Sequence, residues 1–120
     1  MRFLTLYKPG VEGVPPSPQE MAAMGKLIED GFKSGWLLAT EGCQPSAKGA
    51  RVRRSGEKVT VTDGPFTESK EIVGGYALIN AASHAEALAL AREFMDLHLK
   101  HWPEFEGECE VRPLEADAQG

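Results

Sequence analysis

Two histidines near one end of the chain and one charged turn in its middle hold most of the chemistry that this sequence of 120 residues can offer. His98 and His101 stand at i, i+3 spacing just before Trp102-Pro103, so a helix would gather both on one face. An imidazole takes a proton from a carbon acid, or returns one, when it lies within hydrogen-bond reach of the reacting atom. The same two side chains also suit the last turn of a helix, where cationic groups favour the unpaired carbonyls. His84 opens that helix and reads as a solvated first-turn residue. The stretch "VTDGPFTESKEIVGGY", Val61 to Tyr76, is the second concentration. Asp63-Gly64-Pro65-Phe66 is first of all a turn, because Asp bonds nearby amides, Gly permits unusual dihedrals and Pro fixes one angle. Glu68, Lys70 and Glu71 follow at once, and the pair Gly74-Gly75 allows a close backbone approach. Those features fit a lined pocket, which makes Asp63 a candidate general base as well as a turn former. Glu71 can share a proton there, or pair with Lys70 or Arg51.

Other chemistries find less support. A metal site needs ligands beyond the His-x-x-His pair, and Asp96 would point to another side of the helix, so no metal is expected. Cys43 and Cys109 show neither a disulfide framework nor zinc-ligand spacing and read as free thiols. Cys43 has no base beside it in sequence and is expected to be a small buried apolar residue. No cofactor is implied.

The elements that must carry these groups alternate in a legible order. "RFLTLY" reads as a strand ended by Lys8-Pro9-Gly10. Ser17-Pro18-Gln19-Glu20 announces a helix, with Ser17 as N-cap and Glu20 placed to bond back to it. Met21, Met24, Leu27, Ile28 and Phe32 then form one apolar stripe, and the helix should stop near Ser34-Gly35. Trp36 to Thr40 is a second strand. "ARVRR" and "KVTVT", joined by Ser55-Gly56-Glu57, form a hairpin expected to extend the sheet. Ile72 to Asn80 is a further main strand whose glycine pair suggests a bulge or a close approach. Ser83 and Glu86 cap a second helix running to about Lys100, and "ECEVRPL" alternates as a half-buried last strand. The tail from about residue 115 should be frayed.

This order predicts one α+β domain, a ferredoxin-like antiparallel sheet with two helices on one face and an extra hairpin. The strands are apolar front and back, at Trp36 to Ala39, Phe3-Leu4 and Tyr76 to Ile79. Two helices cover only one face, so a second copy of the chain is expected on the other. The composition agrees with a globular domain, at 42% hydrophobic and 26% charged residues. A formal net charge of -5 disfavours direct nucleic-acid binding. Arg51, Arg53 and Arg54 are the local exception and read as one solvated strand face. No apolar run is long enough for a membrane span, and no signal peptide is seen, which places the chain in the cytoplasm.

At the charged turn the sequence resembles the DGPF group of the YCII-related family, whose motif runs close to "DGPF.E.KE..GG". Here that is Asp63 to Phe66, Glu68, Lys70-Glu71 and Gly74-Gly75, with further likeness in "EGCQPS" (Glu41 to Ser46), at Arg51 and in "HWPEFEGECEVRP". The resemblance implies a ferredoxin-like fold paired as a dimeric α/β barrel. It also implies a His and Asp pair in a cleft, within a superfamily that includes isomerases, dehalogenating lyases and monooxygenases. Asp63 is the candidate acid of that pair. The first-helix histidine of such proteins aligns near Met24, and no histidine precedes His84, so His98 or His101 is the candidate partner. Arg51, Phe66, Glu71, Gly74 and Trp102 are the candidate substrate contacts. Two functions follow. One is a cofactor-free acid/base isomerase or lyase acting on a small molecule. The other is a non-catalytic metabolite-sensing module, because DGPF proteins look like companions of extracytoplasmic-function sigma factors.

Overall fold

The computed structural model of the chain describes residues 1–66 and 72–115. Glu68, Lys70 and Glu71 of the charged turn, and the tail from residue 116, lie outside the described residues. The element order is β1 (Arg2–Pro9), α1 (Pro18–Ser34), β2 (Leu37–Gly42), a short 3-10 turn (Ser46–Lys48), β3 (Ala50–Ser55), β4 (Lys58–Asp63), β5 (Gly75–Asn80), α2 (His84–His101) and β6 (Gly107–Pro113). Four strands form an antiparallel sheet in the order β2-β5-β1-β6, the arrangement of a ferredoxin-like domain.

Side chains alternate across a strand, so the register sorts the sheet into two faces. Phe3, Thr5 and Tyr7 of β1 lie opposite Ile79, Ala77 and Gly75 of β5, while Thr5 and Tyr7 also face Val111 and Cys109 of β6. This is the face that the helices cover. Its apolar end is the core, with Phe3, Leu37, Ile79, Ala81 and Ala87 buried and Ile28, Trp36 and Leu90 packed against them. Leu4 and Leu6 sit on the other face, opposite Leu78 and Tyr76. The molecule is 19 Å thick in its shortest dimension, room for one sheet and one helix layer and no more.

The helix signals act as expected. Ser17 Oγ accepts from the Glu20 amide at 3.1 Å, Ser83 Oγ accepts from the Glu86 amide at 3.1 Å, and α1 ends at Gly35, whose φ of 84° is the left-handed cap that glycine favours. Two expectations change. The hairpin does not extend the sheet: β3 and β4 pair only with each other, as a separate ribbon. Alternation specifies that two segments pair, and it does not specify which sheet edge they join. Val52, Val59 and Val61 accordingly stand 67% exposed on that ribbon. The second change is at the glycine pair, where β5 begins at Gly75; the irregular register lies in β2 instead, between Leu37 and Ala39.

Candidate functional site

Where the core thins, toward the start of α1 and the end of α2, the sheet and the helices part around a cavity of about 680 Å³. That volume falls in the range of small-molecule sites. Its walls are mostly apolar, and Tyr7, Glu20 and His98 line it together. Glu20 and His98 are 2% and 4% exposed, the deepest ionisable pair among the described residues.

Each of the three is placed by its element. His98 lies on the α2 stripe that also carries Ala87, Leu90 and Phe94, so helical periodicity turns it inward. Its Nδ1 is 2.9 Å from the Phe94 carbonyl oxygen, which can only accept, so Nδ1 carries the hydrogen of that bond. The remaining nitrogen, Nε2, lies 3.2 Å from Glu20 Oε1. That contact is an ion-pair distance without hydrogen-bond alignment, and neither carboxylate oxygen of Glu20 accepts an aligned hydrogen bond from the described residues. A carboxylate this deep and this poorly bonded is costly, and such groups call for a reason. Both carboxylate oxygens are buried at the cavity wall, with Oε1 toward His98.

Tyr7 completes the group. Its ring stacks on Phe105 with centroids 5.7 Å apart, meets Phe94 edge-on at 5.4 Å and tilts toward His98 at 5.2 Å. Burial, and then the negative charge of Glu20, push its phenol up to about 12. The hydroxyl therefore keeps its proton at neutral pH and can donate a hydrogen bond. The sign of the consequence for stability is definite. A group that holds its proton more tightly folded than unfolded stabilises the fold fully below its unfolded value near 10 and loses that contribution as the pH rises toward 12. Melting temperature should thus fall across pH 10–12 more steeply in the wild type than in Tyr7→Phe, as read by circular dichroism.

The residues singled out in the sequence divide around this cavity. His98, Gly74 and Trp102 line it. Gly74 shows the close approach expected of it: its amide donates to the Tyr7 carbonyl at 2.7 Å, and a Cβ there would lie 2.7 Å from the Tyr7 ring. His101 does not line the cavity; its carbonyl accepts from Ser17 Oγ at 3.4 Å, tying the end of α2 to the start of α1. Asp63 is exposed at the end of β4, away from the cavity wall. The structure does not bring it together with His98. Arg51 lies over the Phe66 ring at 3.9 Å, a cation-π contact at the base of the ribbon. Glu71 lies outside the described residues.

The turn at Asp63 to Phe66 is fastened to the body by a small clasp. Glu12 accepts from the Ser46 amide at 2.7 Å and from its hydroxyl at 2.6 Å, and the Ser46 hydroxyl in turn accepts from the Phe66 amide at 3.1 Å. A Cβ on Gly64 would overlap the Ser46 carbonyl oxygen, so this position tolerates only glycine in the present backbone. These bonds join the Phe66 end of the turn to the Ser46 and Glu12 loops. Both cysteines are free, as expected, but Cys43 is exposed rather than buried, at a mouth of the cavity past the end of β2 where no layer covers it.

Glu20 is the residue that sequence reading missed. Its position three after Ser17 suggested a capping side chain, yet only its amide caps; the carboxylate turns inward. The signal was present in the same periodicity, because Glu20 shares a stripe with Met24, Leu27, Ile28 and Gly31.

An antiparallel sheet with two helices on one face and an ionisable pair in the cavity between them defines a small α+β domain of ferredoxin-like arrangement. The family model for the YCII-related domain matches residues 1–94, and the chain belongs to that family. It is also similar to an uncharacterized protein of Rhizobium meliloti (strain 1021), with 40% identity over 70 residues, 58% of this chain and 52% of that protein. The chain thus spans about half the length of that curated relative. No helix among the described residues is long and apolar enough to cross a membrane, and none of their acidic, histidine and cysteine side chains gather in a group able to hold a metal.

Proposed function

We propose that this YCII-related protein, of the DGPF group, binds a small molecule in the sheet–helix cavity and moves a proton on it without a cofactor, in an isomerase-like or lyase-like step. The observation that carries this reading is the Glu20 carboxylate, 2% exposed and without an aligned hydrogen bond, at the wall of a cavity of about 680 Å³. Glu20 takes the part of the base. His98 is the positioning residue, holding Oε1 and leaving Oε2 to the ligand. Asp63, the other candidate base, keeps the ribbon turn. A metabolite library screened by thermal shift tests the assignment, because a ligand that binds only the folded state raises its melting temperature. Hits should lose their effect in Glu20→Gln. Loss of effect in Asp63→Asn, with none in Glu20→Gln, would return the role to Asp63.

The same reading includes a homodimer packed through the bare sheet face, forming a dimeric α/β barrel. Leu38 and Tyr76, 43% and 37% exposed, extend the apolar patch begun by Leu4, Leu6 and Leu78. Lys8, Glu110 and Arg112 border it as an ion-paired rim, with Lys8 Nζ 3.0 Å from Glu110 Oε1 and both cations holding the Glu110 carboxyl below the usual range. Burying that face supports association. Sedimentation at low micromolar concentration should report a dimer, and Leu78→Glu should shift it to monomer. A wild-type monomer would overturn this part alone.

A further inference from the structure

The charges around the cavity say what kind of molecule it can hold. Among the described residues of its wall, the acidic side chains are Glu20 deep inside, facing His98, and Glu12 and Glu41 farther out, where no imidazole faces them. No described Lys or Arg lines it. An anionic metabolite would meet negative charge in an apolar surround, where repulsion is only weakly screened. The remaining wall, including Met24, Leu27, Ile28 and Phe94, rewards apolar surface.

Two groups converge on the deep end. One is an acceptor, the unbonded carboxylate of Glu20. The other is a donor, the Tyr7 hydroxyl, which has no hydrogen-bond partner among the described residues and whose ring is held by Phe94, His98, Phe105 and the Gly74 backbone. A base beside a neutral hydrogen-bond donor, in a mostly apolar pocket, matches the charge flow of enolisation. Resting on the proposed proton transfer, we infer that the substrate is a neutral, largely apolar carbonyl compound with a C–H bond next to the carbonyl: a ketone, aldehyde or lactone, and not a carboxylate or a phosphate.

The step balances as follows. Glu20 removes the α-proton, the C–H electron pair becomes the carbon–carbon π bond, and the carbonyl π pair moves onto oxygen, where the Tyr7 O–H donates a hydrogen bond. Isomerisation results when Glu20 returns the proton to a conjugated carbon. Elimination results when the same electron pair expels a group on the β-carbon.

The test uses 2-tetralone as the enolisable probe, 2-naphthol as a neutral enol mimic and 2-naphthoate as the anionic match in shape. Proton–deuterium exchange of 2-tetralone in D2O, followed by NMR, should be faster with the protein than in buffer. It should fall about a hundredfold in Tyr7→Phe, the usual scale for losing one oxyanion donor, and return to the buffer rate in Glu20→Gln. Melting curves confirm that each variant is folded. 2-Naphthol should bind and 2-naphthoate should not. If 2-naphthoate binds in a Glu20-dependent manner and 2-tetralone is not exchanged, the substrate class inferred here is wrong and the cavity reading survives. If no probe binds and none is exchanged, the inference falls. The cavity reading falls separately, when the metabolite library yields hits that are indifferent to Glu20→Gln and His98→Asn.

Discussion

His98→Ala is expected to cost the fold about 3–5 kcal/mol in chemical denaturation, the scale for stranding a buried carboxylate without its partner. Two effects add. The ring leaves a void among Tyr7, Phe94 and Phe105, which it meets at 5.2, 4.6 and 4.6 Å. The Glu20 carboxylate also loses the imidazole nitrogen 3.2 Å away, while staying 2% exposed. The informative variant is the double replacement Glu20→Leu with His98→Phe. Apolar groups of similar volume in place of a buried pair are often neutral or stabilising. The double variant should therefore recover most of the loss seen in His98→Ala, with neither single change matching it; the coupling is read directly from a double-mutant cycle. A stable double variant that no longer responds to ligands would show that the pair exists for the cavity's chemistry and not for the fold. Were the double variant as unstable as His98→Ala, the pair would be a structural device and the functional reading would lose its main support.

This separation of fold from chemistry also marks what the sequence could tell. Caps, stripes and alternation are local, and they located both helices and all six strands; Ser17, Ser83 and Gly35 do in the structure what their types require. The ferredoxin-like class followed from the βαβ order of the elements. The ribbon's independence did not, because Val52, Val59 and Val61 read the same whether they meet a sheet, a partner or water. The site was half legible. His98 stood out as a histidine, but its partner is 78 positions earlier, on another helix, and a Ser-x-x-Glu cap offered a complete local explanation for Glu20. A carboxylate on the apolar stripe of α1 was the sign that the local explanation left something over. Asp63 stood out for its charged neighbours, which lie outside the described residues, whereas the turn from Asp63 to Phe66 is fastened by Ser46 and Glu12.

Gly74→Ala should strike stability and chemistry through one contact. The new methyl carbon would stand 2.7 and 2.8 Å from two ring atoms of Tyr7 and 2.9 Å from Pro9 Cδ, closer than such carbons pack. The backbone cannot back away, since the Gly74 amide is bonded to the Tyr7 carbonyl at 2.7 Å and its carbonyl accepts from the Cys43 amide at 2.8 Å. The ring cannot swing aside either, with Phe105 stacked on it and Phe94 and His98 against its edges. Overpacking of this kind costs about 1–3 kcal/mol, and the displaced phenol should slow 2-tetralone exchange as Tyr7→Phe does. Adding Tyr7→Val to Gly74→Ala removes the clash with the ring and leaves the one with Pro9 Cδ at 2.9 Å. Stability should then return in part while exchange stays low, because the space is relieved but the donor is gone. Exchange that recovered along with stability would mean that Tyr7 only fills volume, and that the proton donor must be sought elsewhere in the cavity.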